Sequence, residues 1–269
     1  MHMVRRVAIL AACACFTGCI NSGTLIKVKA DGSGTVEQTI LMNVATLKGL
    51  MAGMDPQGQM KQTSPFSEAQ LKQTAERLGK GVRFVSSTPM SQGGFEGVKA
   101  IYAFDDINQI RVDQDPNVSG SSDNQMAAAK NSNPVTFKFA RQPGGTSNLT
   151  VTFNEQATAG TAPPAGTPSE PPNMDPAMMQ MMKSMFQGFK VAIDLEVEGK
   201  IVKTNADYVN GSRITLLEID MAGLLEDEAK LRALQSKLKP GASIADVKPY
   251  LKDVKGVKIN NPVVSVEYR

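Results

Sequence analysis

The most distinctive chemistry in this chain is a run of soft apolar side chains, Met174, Met178, Met179, Met181, Met182 and Met185, followed by Phe186 and Phe189. Thioethers are unbranched and polarizable, so such a run can fill an irregular core, line an adaptable groove for an acyl chain or peptide, or ligate a soft metal such as Cu(I). Carboxylates are the second option, at Asp105-Asp106 and in Asp113-Gln114-Asp115-Pro116-Asn117. The latter begins like a calcium loop, with oxygen ligands at alternate positions. It fails later, because Val118 stands where the sharp turn needs Gly and Asn124 where a bidentate Glu belongs. It reads as a solvated loop, and neither metal nor cofactor is expected. Absence is more informative still. The chain has one His, three Cys and no Trp, and His2, Cys13, Cys15 and Cys19 all lie within the first nineteen residues. The remainder therefore offers no imidazole or thiol for a catalytic triad, a zinc site, redox exchange or a disulfide. An enzyme is not expected, and a carboxylate-dependent periplasmic hydrolase is the catalytic alternative left.

The rare residues cluster in what reads as a leader. Residues 1–6 carry Arg5, Arg6 and no acid, and Val7 to Gly18 is an uncharged, mostly apolar run ending in small residues. That is the pattern of a secretory signal peptide, too short to span a bilayer. Its end, Phe16-Thr17-Gly18-Cys19, resembles the lipobox of bacterial lipoproteins. The resemblance implies cleavage after residue 18 and acylation of Cys19, the new N-terminus, with palmitate-type chains. Loss of residues 1–18 removes two bases and no acid, leaving 27 bases against 26 acids. A balance that even gives no electrostatic footprint for nucleic acid, so none is expected as a partner. Two acyl chains on one Cys make a stable anchor. Ile20 is not the Asp that resembles an inner-membrane retention signal, which implies the periplasmic face of the outer membrane.

Behind the anchor, residues 19–23 read as a tether of about 15 Å, with the first strand beginning near Thr24. The body divides by composition into an N-terminal ββααββ part at 24–111, loops around a hairpin at 112–176, and a C-terminal αβββααββ part at 177–269. Six of the fifteen prolines fall in Asn154 to Pro176. Asp31-Gly32-Ser33-Gly34 marks a hairpin between strands at 24–29 and 35–43. Val44 to Met54 keeps helical spacing. Ser67 with Gln70 forms a capping box ahead of Leu71, Ala75 and Leu78. A short hairpin spans 135–140 and 149–153, and three antiparallel strands are expected at 189–198, 201–206 and 213–220. Two helices, around Leu224 to Leu238 and after Ser243, and strands at 257–259 and 263–268 complete the pattern.

Asp175 and Pro176 suit a helix start, and Met178, Met181, Met182, Met185, Phe186 and Phe189 then fall on one face within about 160° of arc. That face either packs on the sheet or receives an apolar ligand or partner. Strands joined by hairpins with helices inserted in blocks predict an α+β fold: an antiparallel sheet with helices packed on it.

Thr24 to Val36, with Gly199 to Ala206, Gly211 and Thr215 to Glu218, resembles uncharacterised bacterial lipoproteins and, more distantly, the LppM-type envelope lipoprotein domain. That resemblance implies an α+β module of the cell envelope with a lipid-binding role. The expected protein is a non-enzymatic lipoprotein attached to the membrane through Cys19. Its further partner is either a lipid or another apolar ligand, or an envelope protein in a purely structural or assembly role.

Overall fold

A computed structural model describes residues 20–43, 66–113, 134–153, 180, 186, 188–226, 244–252 and 254–269. Strands β1 (Ile20–Val28) and β2 (Gly34–Asn43) form the expected hairpin, closed by the Asp31 turn. Gly32 sits in the left-handed region at φ 87°, and a Cβ there would lie 2.7 Å from the Phe139 ring. Only glycine satisfies both demands. Helix α1 (Glu68–Leu78) begins at the capping box: Ser67 Oγ accepts from Gln70 N at 3.4 Å, and Gln70 Oε1 accepts from Ser67 N at 3.3 Å. Its stripe of Leu71, Ala75 and Leu78 is buried.

Strands β3 (Arg83–Gln92) and β4 (Phe95–Phe104) follow, then a short 3-10 turn at Ile107–Gln109 and β5 (Arg111–Asp113). Next come β6 (Pro134–Arg141), β7 (Ser147–Phe153), β8 (Lys190–Val197), β9 (Ile201–Thr204), β10 (Val209–Asn210) and β11 (Arg213–Asp220). Helices α2 (Met221–Glu226) and α3 (Ile244–Leu251), then β12 (Val257–Ile259) and β13 (Val263–Tyr268), complete the described chain.

The strands make two sheets. One has eight strands in the order β10-β11-β8-β1-β2-β4-β3, with β12 beside β11; the other has five, β5-β6-β7-β13-β9. Buried and less buried residues alternate along β1, β4, β7 and β8. Ile26, Val36 and Tyr102 from the large sheet meet Val135, Val151, Val264 and Tyr268 from the small one in a single core. The burial of two facing apolar sheet surfaces is what holds the body together.

This overturns the expected α+β class. The described residues are mostly strand, and their three helices have 11, 6 and 8 residues. The main core lies between two sheets, with α1 joining its margin, so a layer of helices on one sheet is not what buries the strands. Nor is the large sheet purely antiparallel, because β1 pairs β8 in parallel, Asn21 beside Lys190 through Val28 beside Val197. Parallel neighbours need a long crossover, and here the whole of β2 to β7 lies between them. The expected three-strand run also breaks. β8 pairs β11, whereas β9 between them leaves the large sheet and pairs β13.

The first strand begins at Ile20 rather than near Thr24. Ile20 is already paired with Met42, so Ile20 to Gly23, read as tether, belong to the sheet. Residues 1–19, the helix at 44–54 and the chain beyond Glu226 to 243 lie outside the described residues.

Candidate functional site

Pairing register brings several distant segments to one end of the large sheet. Ile20 lies beside Met42, Asn43 beside Phe95, Asn21 beside Lys190, and Lys190 beside Asp220. Into that end runs the turn from Phe186 to Phe189. Phe189 N donates to Phe186 O at 3.0 Å, and Met221 N donates to Phe189 O at 3.1 Å, which pins the turn to the start of α2. The two rings stand edge to face, 6.4 Å apart at 86°, the arrangement favoured by opposed ring quadrupoles. Gly188 between them has φ 86°, and a Cβ there would lie 2.3 Å from Cζ of Phe95. Three Phe rings from two parts of the chain thus gather at the strand ends, each partly exposed.

Several of the described charges at this end are engaged. Lys258 and Lys190 flank Glu218 at 3.2 and 3.8 Å, Lys255 pairs with Glu226, and Asp220 Oδ1 accepts from the amides of Ala222 and Gly223 at 3.1 and 3.3 Å. Of the residues proposed from sequence, Phe186 and Phe189 are placed here, whereas Cys19, Met178, Met181, Met182 and Met185 lie outside the described residues. Phe95 and Gly188 were not anticipated; the Gly-Phe step before β8 was the available signal, since a close ring contact needs a missing Cβ.

The candidate carboxylates have structural partners. Asp105 receives a two-pronged contact from Arg83, at 2.7 and 3.1 Å, which holds its pKa below the ordinary value. Burial would raise Asp106, but hydrogen bonds from the Asn108 amide and side chain outweigh it and the net shift is downward. Asp106 thereby caps the 3-10 turn. On the outer face of the large sheet, burial acts to raise Glu37, yet Lys27 on β1 and Lys99 on β4, the latter at 2.6 Å, bring it down. Asp113 is the sole residue of the second acidic run inside the described residues. A general acid at neutral pH needs its carboxyl pushed upward, and the shifts of Asp31, Glu37, Glu68, Asp105 and Asp106 all run the other way.

A second feature is a cleft of about 410 Å³ on the outer face of the small sheet, lined by Asn148, Thr150, Lys203, Asn205, Ser265 and Glu267 among others. Asn205 shapes it by acting as an extra rung of the ladder. Its Nδ2 donates to Val263 O at 3.0 Å and its Oδ1 accepts from Ser265 N at 2.7 Å. Nearby, Asn260 is buried and bonded through both ends of its amide: Nδ2 donates to Thr215 O at 2.6 Å and Oδ1 accepts from Asp207 N at 2.8 Å. Lys248 on α3 reaches Asp207 and Asn261, both at 2.5 Å. These polar groups spend their hydrogen bonds on holding β11, α3 and the approach to β13 together.

No protein-family model matches the chain, and no curated protein sequence matches it. Among solved structures, the NMR structure of the folded domain of LppM from Mycobacterium tuberculosis is similar at 10% identity and a TM-score of 0.33, covering 94% of this chain and 91% of that one. A superposition that loose carries nothing about the site.

Proposed function

We propose that this chain is a bacterial envelope lipoprotein, attached through acylated Cys19 to the periplasmic face of the outer membrane, and that it serves as a binding or assembly module rather than an enzyme. The observation that carries this is the junction at residues 19 and 20. A lipobox-like motif closes on Cys19, and β1, the first strand among the described residues, starts at Ile20. That is the division expected if everything before Cys19 is removed and everything after it works outside the cytoplasm. Support against catalysis comes from chemistry: the body has neither His nor Cys, and its shifted carboxyls are held in the ionised form. An apolar partner is favoured over a polar one by the Phe95, Phe186 and Phe189 cluster.

The deciding experiment is Cys19→Ala, examined by fatty-acid labelling and membrane fractionation in a bacterial host with an outer membrane. The parent should carry label and sediment with outer membranes, and the variant should lose both. Retention of the unlabelled variant on membranes would disprove the anchor.

A further inference from the structure

We propose that the end of the large sheet bearing Ile20 is a lipid-contacting face, with the rings of Phe95, Phe186 and Phe189 seated at the bilayer interface and β1, β2, β4 and β8 standing upon it. This rests on the anchoring of Cys19 argued above. The occupant is the bilayer because no slack separates the anchor from the fold. Ile20 is paired into the sheet beside Met42, and one residue spans at most about 3.6 Å. A body leashed that tightly presents to the membrane the end that carries Ile20.

The chemistry of the two ends agrees. At the Ile20 end stand the three rings with Met42, Met221 and Leu224, all partly exposed, while Lys190, Lys255, Glu218, Glu226 and Asp220 are engaged with one another or with backbone amides. Glu96 and Glu226 are the exposed acids among the described residues there, Glu226 being paired with Lys255. At the opposite end the turns at Asp31, at 142–145 and at Gly199 carry Lys29, Asp31, Arg141, Glu198 and Arg269, suited to water. The nine residues of β1 hold these ends roughly 30 Å apart. Phe side chains on a face laid against a membrane bury at the boundary between headgroups and acyl chains.

The chain has no Trp, so one introduced indole reports alone. Lipidated full-length protein carrying Phe186→Trp is reconstituted into phosphatidylethanolamine and phosphatidylglycerol vesicles with or without brominated acyl chains. Its emission should shift to the blue and be mostly lost in brominated lipid, whereas Gln142→Trp at the far end keeps its emission. In parallel, amide exchange of the unmodified protein on vesicles should slow at 93–96 and 186–189 relative to Cys19→Ala protein in solution. Floating protein with unquenched Phe186→Trp and unchanged exchange would overturn the face while leaving the anchor intact. Quenching of Gln142→Trp would put the wrong end on the bilayer. Failure to float would remove the anchor and the face together.

Discussion

Two buried tyrosines make opposite use of their hydroxyls. Tyr268 donates to Lys29 O at 2.9 Å and so ties the last strand to the first hairpin turn. Tyr102 lies under α1, where Thr74 Oγ1 donates to Gln70 O at 3.0 Å and accepts from Arg77 at 3.1 Å, and its own hydroxyl, although close to Thr74, makes no well-formed hydrogen bond among the described residues. Burial pushes both phenols up to about 12 from 10.0. The raised value means that each favours the folded state fully below pH 10, the unfolded value, and ceases to do so as pH climbs toward 12. Each accounts for on the order of 2 kcal/mol. Urea titrations at stepped pH should therefore show stability falling across that window. Tyr102→Phe should remove part of the fall and be neutral or slightly stabilising at pH 7, because it deletes an unpaired polar group. Tyr268→Phe should instead cost about 1 kcal/mol, because it removes a made hydrogen bond and leaves Lys29 O with only the turn amide of Gly32. A destabilised Tyr102→Phe would mean that its hydroxyl has a partner.

Among the elements, those specified by neighbouring residues could be read directly from the chain. The capping box at Ser67 and Gln70 places α1, and alternation places β11, β12 and β13 at the expected residues. Ser67→Ala should cost about 1 kcal/mol in chemical denaturation, a loss that would not appear if α1 were held by Leu71, Ala75 and Leu78 alone. Elements specified from afar were misread. Asn21, Ser22 and Gly23 are poor strand formers, yet β2 on one side and β8 on the other hold them extended. The Glu198-Gly199-Lys200 turn looks like any hairpin turn, and nothing local reveals that it hands the chain from one sheet to the other. Phe186 and Phe189 stand out in their Met-rich context, whereas Phe95 joins them only because β4 happens to begin there.

For the molecule as a whole, charge contributes little to attachment. The expected mature chain holds 27 bases and 26 acids, and among the described residues Lys190, Lys255 and Lys258 at the Ile20 end are paired with acids. Membrane association should consequently survive washing at about 1 M salt, where the screening length is about 3 Å, and yield only to detergent. Release by salt would point to an electrostatic contact with lipid headgroups or an acidic partner. The position of β1 bears on a different property. Flanked by β2 over nine residue pairs and by β8 over eight, it is the strand that continues directly into Cys19. Tension applied through an acyl anchor would run along β1 and load both rows of hydrogen bonds in shear, so that they share the load instead of unzipping one at a time. The fold would thus withstand a pull on its anchor better than one hung from an edge strand, because its point of suspension is a strand braced on both sides within the sheet.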